Sequence, residues 1–311
     1  MSAKTVANVP ASITQRLKNI AKAQQEEFGF TLTTYAIERL LARLERSPYA
    51  DQFVLKGAQI FKLWMDARHR PTRDLDLLQL GLGDQDTLIN MFKQICSIKL
   101  IDNDGITFQP DTLKCEENRL DEAYSGFKIT VEYKIGSAKN TVQIDIGVGD
   151  ATVPRPTPVE IPSLLNFDSI QMLGYSKETV IAEKLDAMIQ LGIANSRMKD
   201  FYDVVELSRT FSFAGEDICD AVNATLARRR TPIPEAPPVT LTPEFHKDLR
   251  KQQQWNAFLS RNKIDRARFP FEDVIAEIST FLQPVLTALS SGNVVARDWK
   301  PQSGWQERTT A

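Results

Sequence analysis

The chain has 311 residues, 42% of them hydrophobic and 25% charged, and a formal net charge of −2, so it reads as two domains or one large one with a sizeable buried core. No global basic field exists, and a nucleic-acid partner would need a local patch. Three widely spaced cysteines (Cys96, Cys115, Cys219) exclude a disulfide framework, two histidines (His69, His246) argue against a histidine-rich zinc site, and no apolar run could span a bilayer. The expectation is a cytoplasmic protein with no membrane partner.

Residues 1–9 read as a frayed end. "ASITQRLKNIAKAQQEEFG" then places Ile13, Leu17, Ile20 and Ala21 at helical spacing, and "TTYAIERLLARLERS" continues as a second amphipathic helix. Both are expected to cover a sheet. In "DQFVLKGAQIFKLWM", Phe53 to Leu55 form a short apolar element, and Lys56-Gly57-Ala58 opens a helix running to Trp64. A glycine at a helix N-terminus lets a ligand approach the backbone, and the free N–H groups there favour phosphate. The alternative is a plain N-terminal turn.

"RPTRDLDLLQ", residues 70–79, places two aspartates one residue apart inside an apolar run. Side chains alternate along a strand, so Asp74 and Asp76 project together while Leu75 and Leu77 face the core. Two such carboxylates repel one another unless a cation sits between them. "GLGDQD" follows as a loop, and 86–98 as a helix. "FKITVEYKIG" and "TVQIDIGVGD" are alternating runs joined by "SAKN", a hairpin pair. Asp145 lies in the second run on the face opposite Val142, Ile144 and Ile146. It is either a solvent-facing polar position or a third carboxylate of the same constellation.

"PRPTPVEIPSLLN" is proline-rich and reads as a connection between lobes, dividing 1–160 from a mainly helical 161–311. Ser176 with Glu178 and Thr179 starts a helix whose buried stripe is Ile181, Leu185 and Met188. Lys184 lies at the edge of that stripe, where it either snorkels to solvent or points into a polar cleft. "RMKDFYDVVELSRTF" puts Asp200 and Asp203 on one helix edge, beside Arg197 and Lys199. Taken alone this is a charged helix start. Arg228, Arg229 and Arg230 form either a solvated helix end or a phosphate-contacting cluster. Packed helices follow, and the tail from Val294 reads as mobile.

Three carboxylates on two strands with a glycine-opened helix upstream suit two-metal phosphoryl or nucleotidyl transfer, because Mg²⁺ is a hard cation that takes carboxylate and phosphate oxygens. Asp74 and Asp76 would bridge the ions, Asp145 would serve as third ligand or base, and Lys184 would neutralise phosphate charge.

The stretches "ERLLARLERSPYADQFVLKGAQIFKLW", "RPTRDLDLL", "QIDIGVGD" and "AEKLDAMIQLG…RMKDFYDVVEL" occur in this order. The sequence resembles the AbiEii/AbiGii nucleotidyltransferase-like toxins of type IV toxin–antitoxin systems over about residues 10–215. The resemblance implies an α+β fold, with a small mixed sheet and flanking helices followed by a mainly helical lobe that contributes Lys184 and Asp200 to the cleft. It implies a metal pair on Asp74 and Asp76, the family's helical lysine at Lys184, and its Arg-Asp-x-x-Asp-Leu aspartates at Asp200 and Asp203. Nucleotide contacts are expected from Lys56, Gly57, Thr72, Lys184 and Asp203. Three positions depart from the family: Ala58 replaces a second glycine or a serine, Thr72 replaces a serine, and Lys199 replaces the arginine, losing its bidentate fork.

The resulting expectation is a Mg²⁺- or Mn²⁺-dependent enzyme that moves a nucleoside monophosphate from an NTP to an RNA 3′-hydroxyl. The expected acceptor is tRNA, contacted by Arg68, Arg70 and residues 228–230. Translation would stop, as suits phage defence. The cognate antitoxin would be a separate DNA-binding protein acting without a tight complex. The alternatives are transfer onto a protein hydroxyl and a non-catalytic nucleotide-binding regulator.

Overall fold

The structure is a computed structural model, and it describes residues 8–65, 72–81, 83–121 and 124–308. The chain divides into two compact units, Met1–Gly149 with Thr157–Gly174, and Asp150–Pro156 with Tyr175–Ala311.

The first unit contains α1 (Val9–Gln24), α2 (Phe28–Glu45), β1 (Phe53–Lys56), α3 (Gly57–Trp64), β2 (Asp74–Gln79), α4 (Gln85–Ser97), β3 (Ile106–Asp121), β4 (Tyr124–Ile135), β5 (Ala138–Val148), β6 (Thr157–Ile161) and β7 (Ile170–Gly174). The strands form one mixed sheet in the order β3-β4-β5-β2-β1-β7-β6. β2 runs parallel to β5 and antiparallel to β1, and β1 runs parallel to β7. Alternation decides the faces. Leu75 and Leu77, Val142, Ile144 and Ile146, and Ile129, Val131 and Tyr133 are all buried on one side.

Helix α1 is capped by the Asn8 side chain, which accepts from Ala11 N, and it buries Ile13, Leu17 and Ala21. Helix α2 is buried on more than one stripe, because its charges are satisfied internally. Arg39 Nε and Arg43 Nη1 reach Asp104 Oδ2 at 3.1 and 2.6 Å, and the Tyr35 hydroxyl donates to the Asp104 carbonyl at 2.6 Å. Glu38 accepts from Leu164 N and Ser163 Oγ at 2.7 and 2.8 Å. Buried charges persist only when paired in this way.

Three expectations are corrected here. The hairpin turns at Gly136 and Ser137 rather than through "SAKN", most of which belongs to β5; Gly136 supplies the positive φ of 57° that the tight turn needs. The proline-rich segment is not a plain connection. Its residues 157–161 form edge strand β6 paired with β7 and belong to the first unit, whereas Asp150–Pro156 belong to the second. Pro158 is compatible with an edge strand, where a missing N–H need not break the sheet.

The second unit holds α5 (Lys177–Leu191), α6 (Met198–Thr210), β8 (Phe213–Ala214), α7 (Gly215–Arg229), α8 (Pro243–Lys247), α9 (Leu249–Arg261), α10 (Phe271–Ser290), β9 (Arg297–Lys300) and β10 (Gly304–Glu307). Ser176 caps α5 by accepting from Thr179 N at 3.0 Å. The third correction concerns the tail, which is folded over its described residues as far as β10. β9 pairs with β8 and β10, and the Trp299 and Trp305 rings lie 4.7 and 5.8 Å from Phe281. Their indole N–H groups donate to the carbonyls of Ser208 and Phe281 at 2.7 and 3.1 Å, so both large rings are docked at each end.

Candidate active site

β1 ends at Lys56, and Gly57 turns the chain directly into α3 with φ of +66°. Only glycine adopts that region without strain. A Cβ on Gly57 would lie 1.9 Å from Asp76 Oδ2, so the bare backbone is also what lets the carboxylate lie there. The N-cap residue Lys56 makes no side-chain cap hydrogen bond, and the first turn of α3 carries no acid of its own. The N–H groups of that turn therefore keep their preference for an anion.

Strand register brings the acids together. Lys56 is opposite Asp76, Asp76 opposite Asp145, Asp145 opposite Lys128, and Lys128 opposite Glu116. Residues in register on neighbouring strands share a face, so these five form one charged row across the sheet. Asp74 begins the next row and is opposite Gln143. Gln143 Nε2 donates to both Asp145 oxygens, at 3.2 and 3.1 Å, which orients that carboxylate. The Thr72 hydroxyl and Gln59 Nε2 approach the Asp74 carbonyl at 3.4 and 3.5 Å, at the outer limit of hydrogen bonding. Asp74, Asp76, Asp145, Gln143 and Lys128 are each half-buried.

The donor set is all oxygen, from two adjacent strands, and Asp76 and Asp145 are in register; this is the chemistry a hard divalent ion selects. Among the described residues no three acidic, histidine or cysteine side chains already converge as an ion cage.

In the second unit, Lys184 Nζ lies 2.8 Å from Asp200 Oδ1 and 2.7 Å from Asp203 Oδ2, with both carboxylates almost fully buried. Arg197 Nε adds a contact to Asp200 Oδ2 at 2.9 Å. Burial alone would raise the Asp200 pKa; Lys184 and Arg197 outweigh it and hold the carboxyl below its ordinary value. Asp200 and Asp203 are thus not a solvated helix start, and Lys184 does not snorkel as a lone cation. The three residues form a charged triad inside the unit.

The arginine run separates into two kinds. Arg228 and Arg230 are exposed, whereas Arg229 reaches Asp186, Glu183 and Asp150 at 2.8, 3.3 and 3.4 Å. Burial would lower its pKa, but Glu183, Asp150 and Asp186 raise it further. Asp186 also accepts from Thr231 Oγ1 at 2.5 Å. Arg229 is thus held by three acids of its own unit. Arg68 and Arg70 lie outside the described residues.

Lys128, Gln143 and Arg197 were not expected in the constellation. Lys128 could have been found by aligning "FKITVEYKIG" against "TVQIDIGVGD" about the Gly136 turn, which puts it opposite Asp145.

The model of a family described as nucleotidyl transferase AbiEii toxin, type IV TA system, matches residues 39–277. JHP933 from Helicobacter pylori is similar in structure at 16% identity, over 86% of this chain and 95% of its own, with a TM-score of 0.46. A second H. pylori protein, provisionally described as a nucleotidyltransferase, is similar at 16% identity over 84% of this chain and 96% of its own, again with a TM-score of 0.46. No curated protein matches. The family match spans more than half the chain and covers both the acidic row and the Lys184 triad, which sets the protein in the nucleotidyltransferase-like class. The chain belongs to the AbiEii toxin family of type IV toxin–antitoxin systems. Among the described residues no helix is long and apolar enough to cross a membrane.

Proposed function

We propose that the protein is a divalent-metal-dependent nucleotidyltransferase that moves a nucleoside monophosphate from an NTP to an RNA 3′-hydroxyl, with tRNA as the acceptor. The observation that carries this reading is the placement of Asp76 in register with Asp145 and against the bare Gly57 turn. It joins acids suited to a metal with a helix N-terminus suited to phosphate.

In this reading the acceptor 3′-oxygen bonds to the α-phosphorus, the bond from that phosphorus to the bridging oxygen breaks, and pyrophosphate leaves. Asp74 and Asp76 hold the metal, and Asp145, kept in place by Gln143, either completes its ligands or accepts the hydroxyl proton. When bound, Mg²⁺ or Mn²⁺ neutralises phosphate charge and lowers the pKa of the attacking hydroxyl. Lys56 and the first turn of α3 hold the phosphates, and Thr72 lies beside them. The part of Lys184, Asp200 and Asp203 in the reaction is tested by substitution. A tRNA blocked at its 3′ end cannot be aminoacylated, which would stop growth and serve phage defence. The setting is the cytoplasm, and the restraint comes from a cognate antitoxin that need not bind tightly.

The test is to incubate the protein with Mg²⁺, each α-labelled NTP in turn and total tRNA, beside Asp74→Ala. Label entering RNA only with Asp74 intact is the expected result and names the nucleotide. Label on protein would replace the RNA acceptor with a protein hydroxyl. Nucleotide binding without label would leave a non-catalytic regulator.

A further inference from the structure

The polar face of the sheet does not end at the acidic row. Asp74 is opposite Gln143, Gln143 opposite Thr130, and Thr130 opposite Lys114, parallel to the row that carries Asp145 and Lys128. Beyond the acids, β4 and β3 therefore present Lys128, Thr130 and Lys114 to the same side. Lys114 is exposed and Lys128 half-buried. Neither forms an ion pair among the described residues, whereas Lys139, further out on this face, is bound to Glu132 at 2.8 Å. Lys128 has Asp145 in register on one side and Glu116, exposed on edge strand β3, on the other, while the row of Lys114 leads to Asp74. Two unpaired ammonium groups, a hydroxyl and an amide on one strip match a phosphodiester backbone.

Direction follows from the displacement chemistry. An incoming oxygen attacks phosphorus in line with the leaving oxygen, so acceptor and pyrophosphate lie on opposite sides of the α-phosphate. The Gly57 turn, where the triphosphate is bound in the proposed reading, continues from the end of β1, which neighbours β2 on the side away from β5. β4 and β3 lie on the other.

We propose that the single-stranded 3′ end of the RNA acceptor reaches the carboxylates over β4 and β3, with Lys128 and Lys114 holding its phosphates. The inference rests on the nucleotidyl-transfer reading and assigns it a track. Lys128 and Lys114 act on binding of the acceptor, and neither is a catalytic residue.

The experiment measures total-tRNA binding by the full chain carrying Asp76→Asn, with and without Lys114→Gln, Lys128→Gln or, as a control, Lys139→Gln. Acceptor and NTP KM values are measured in the Asp76 background. The expected result is a several-fold or greater loss of tRNA affinity for Lys114→Gln and Lys128→Gln, with a salt slope shallower by about 0.7 to 0.9 per lysine. The acceptor KM rises, while the NTP KM and the Lys139→Gln variant stay unchanged. Lys114→Gln on the exposed edge carries the test if Lys128→Gln does not fold. Transfer into RNA with an unaltered acceptor KM in the lysine variants would overturn the track and leave the transfer reading standing. Absence of labelled RNA with tRNA binding still dependent on Lys114 would do the reverse. No tRNA binding by the unsubstituted chain overturns both.

Discussion

Gly57 and Asp76 share one space: a methyl group on the first would overlap the carboxylate of the second, 1.9 Å from its Oδ2. The relation couples a backbone requirement, φ of +66°, to a side-chain position. Gly57→Ala is therefore expected to lose nucleotidyl transfer by at least about tenfold and to cost about 1–3 kcal/mol of stability from backbone strain. Urea unfolding beside a transfer assay checks both. An alanine variant as active and as stable as the parent would mean the turn tolerates a side chain and that Asp76 can move at little cost.

The parallel register of Asp76 and Asp145 puts like charges side by side, with Lys56 and Lys128 on the outer strands, and a cation bound between the acids would relieve their repulsion further. Mg²⁺ is expected to raise the Tm of the unsubstituted chain, by an amount equivalent to about 2.7 kcal/mol at one hundred times its Kd. Asp76→Asn and Asp145→Asn should fold, show little Mg²⁺-dependent shift, and lack transfer. A thermal melt over a Mg²⁺ series reads this without any need for turnover. Equal shifts in all three proteins would remove these carboxylates as ligands.

Removing Lys184 takes the ammonium from both buried carboxylates, leaving Asp200 with Arg197 as its remaining ion pair. Lys184→Met is expected to destabilise by about 3–5 kcal/mol, the range for breaking a buried ion pair from one side. Adding Asp203→Asn should return part of that loss, as a double-mutant cycle in urea would show.

Because the Asp200 carboxyl is held below its ordinary value, its stabilising contribution is complete above the ordinary carboxylate range. That contribution is lost as pH falls from there through the depressed folded-state pKa. Asp200→Asn should therefore be less stable than the parent at pH 7, with the difference narrowing on the acid side. Urea midpoints at pH 7, 4 and 3 measure the narrowing. A difference that grows with acid would reverse the sign of the argument.

Arg229→Gln should behave as a folding variant. With Asp150, Glu183 and Asp186 deprived of their shared guanidinium, a loss of about 3–5 kcal/mol is expected. Arg228→Gln and Arg230→Gln change exposed side chains and should shift stability by no more than about 0.5 kcal/mol. Circular-dichroism melts of the three proteins separate the two classes.

Local periodicity was readable from the chain alone. One-residue spacing put Asp74 and Asp76 on a single strand face, Lys56-Gly57 marked the start of α3, Ser176 and Thr179 marked a helix cap, and the ordered stretches carried the family. Each of these depends on a few consecutive residues and on the repeat of one strand or helix. What the tertiary structure alone decided was which distant residues meet. It brought Asp145 beside Asp76 and Lys128 beside Asp145, added β6 and β7 to the sheet, and folded the tail onto Phe281. It also turned the charges of α6 inward onto Lys184 and enclosed Arg229 among three acids, while leaving Arg228 and Arg230 in solvent. Strand register and the partner of a charged side chain are set by packing between segments far apart in sequence, so no local pattern encodes them.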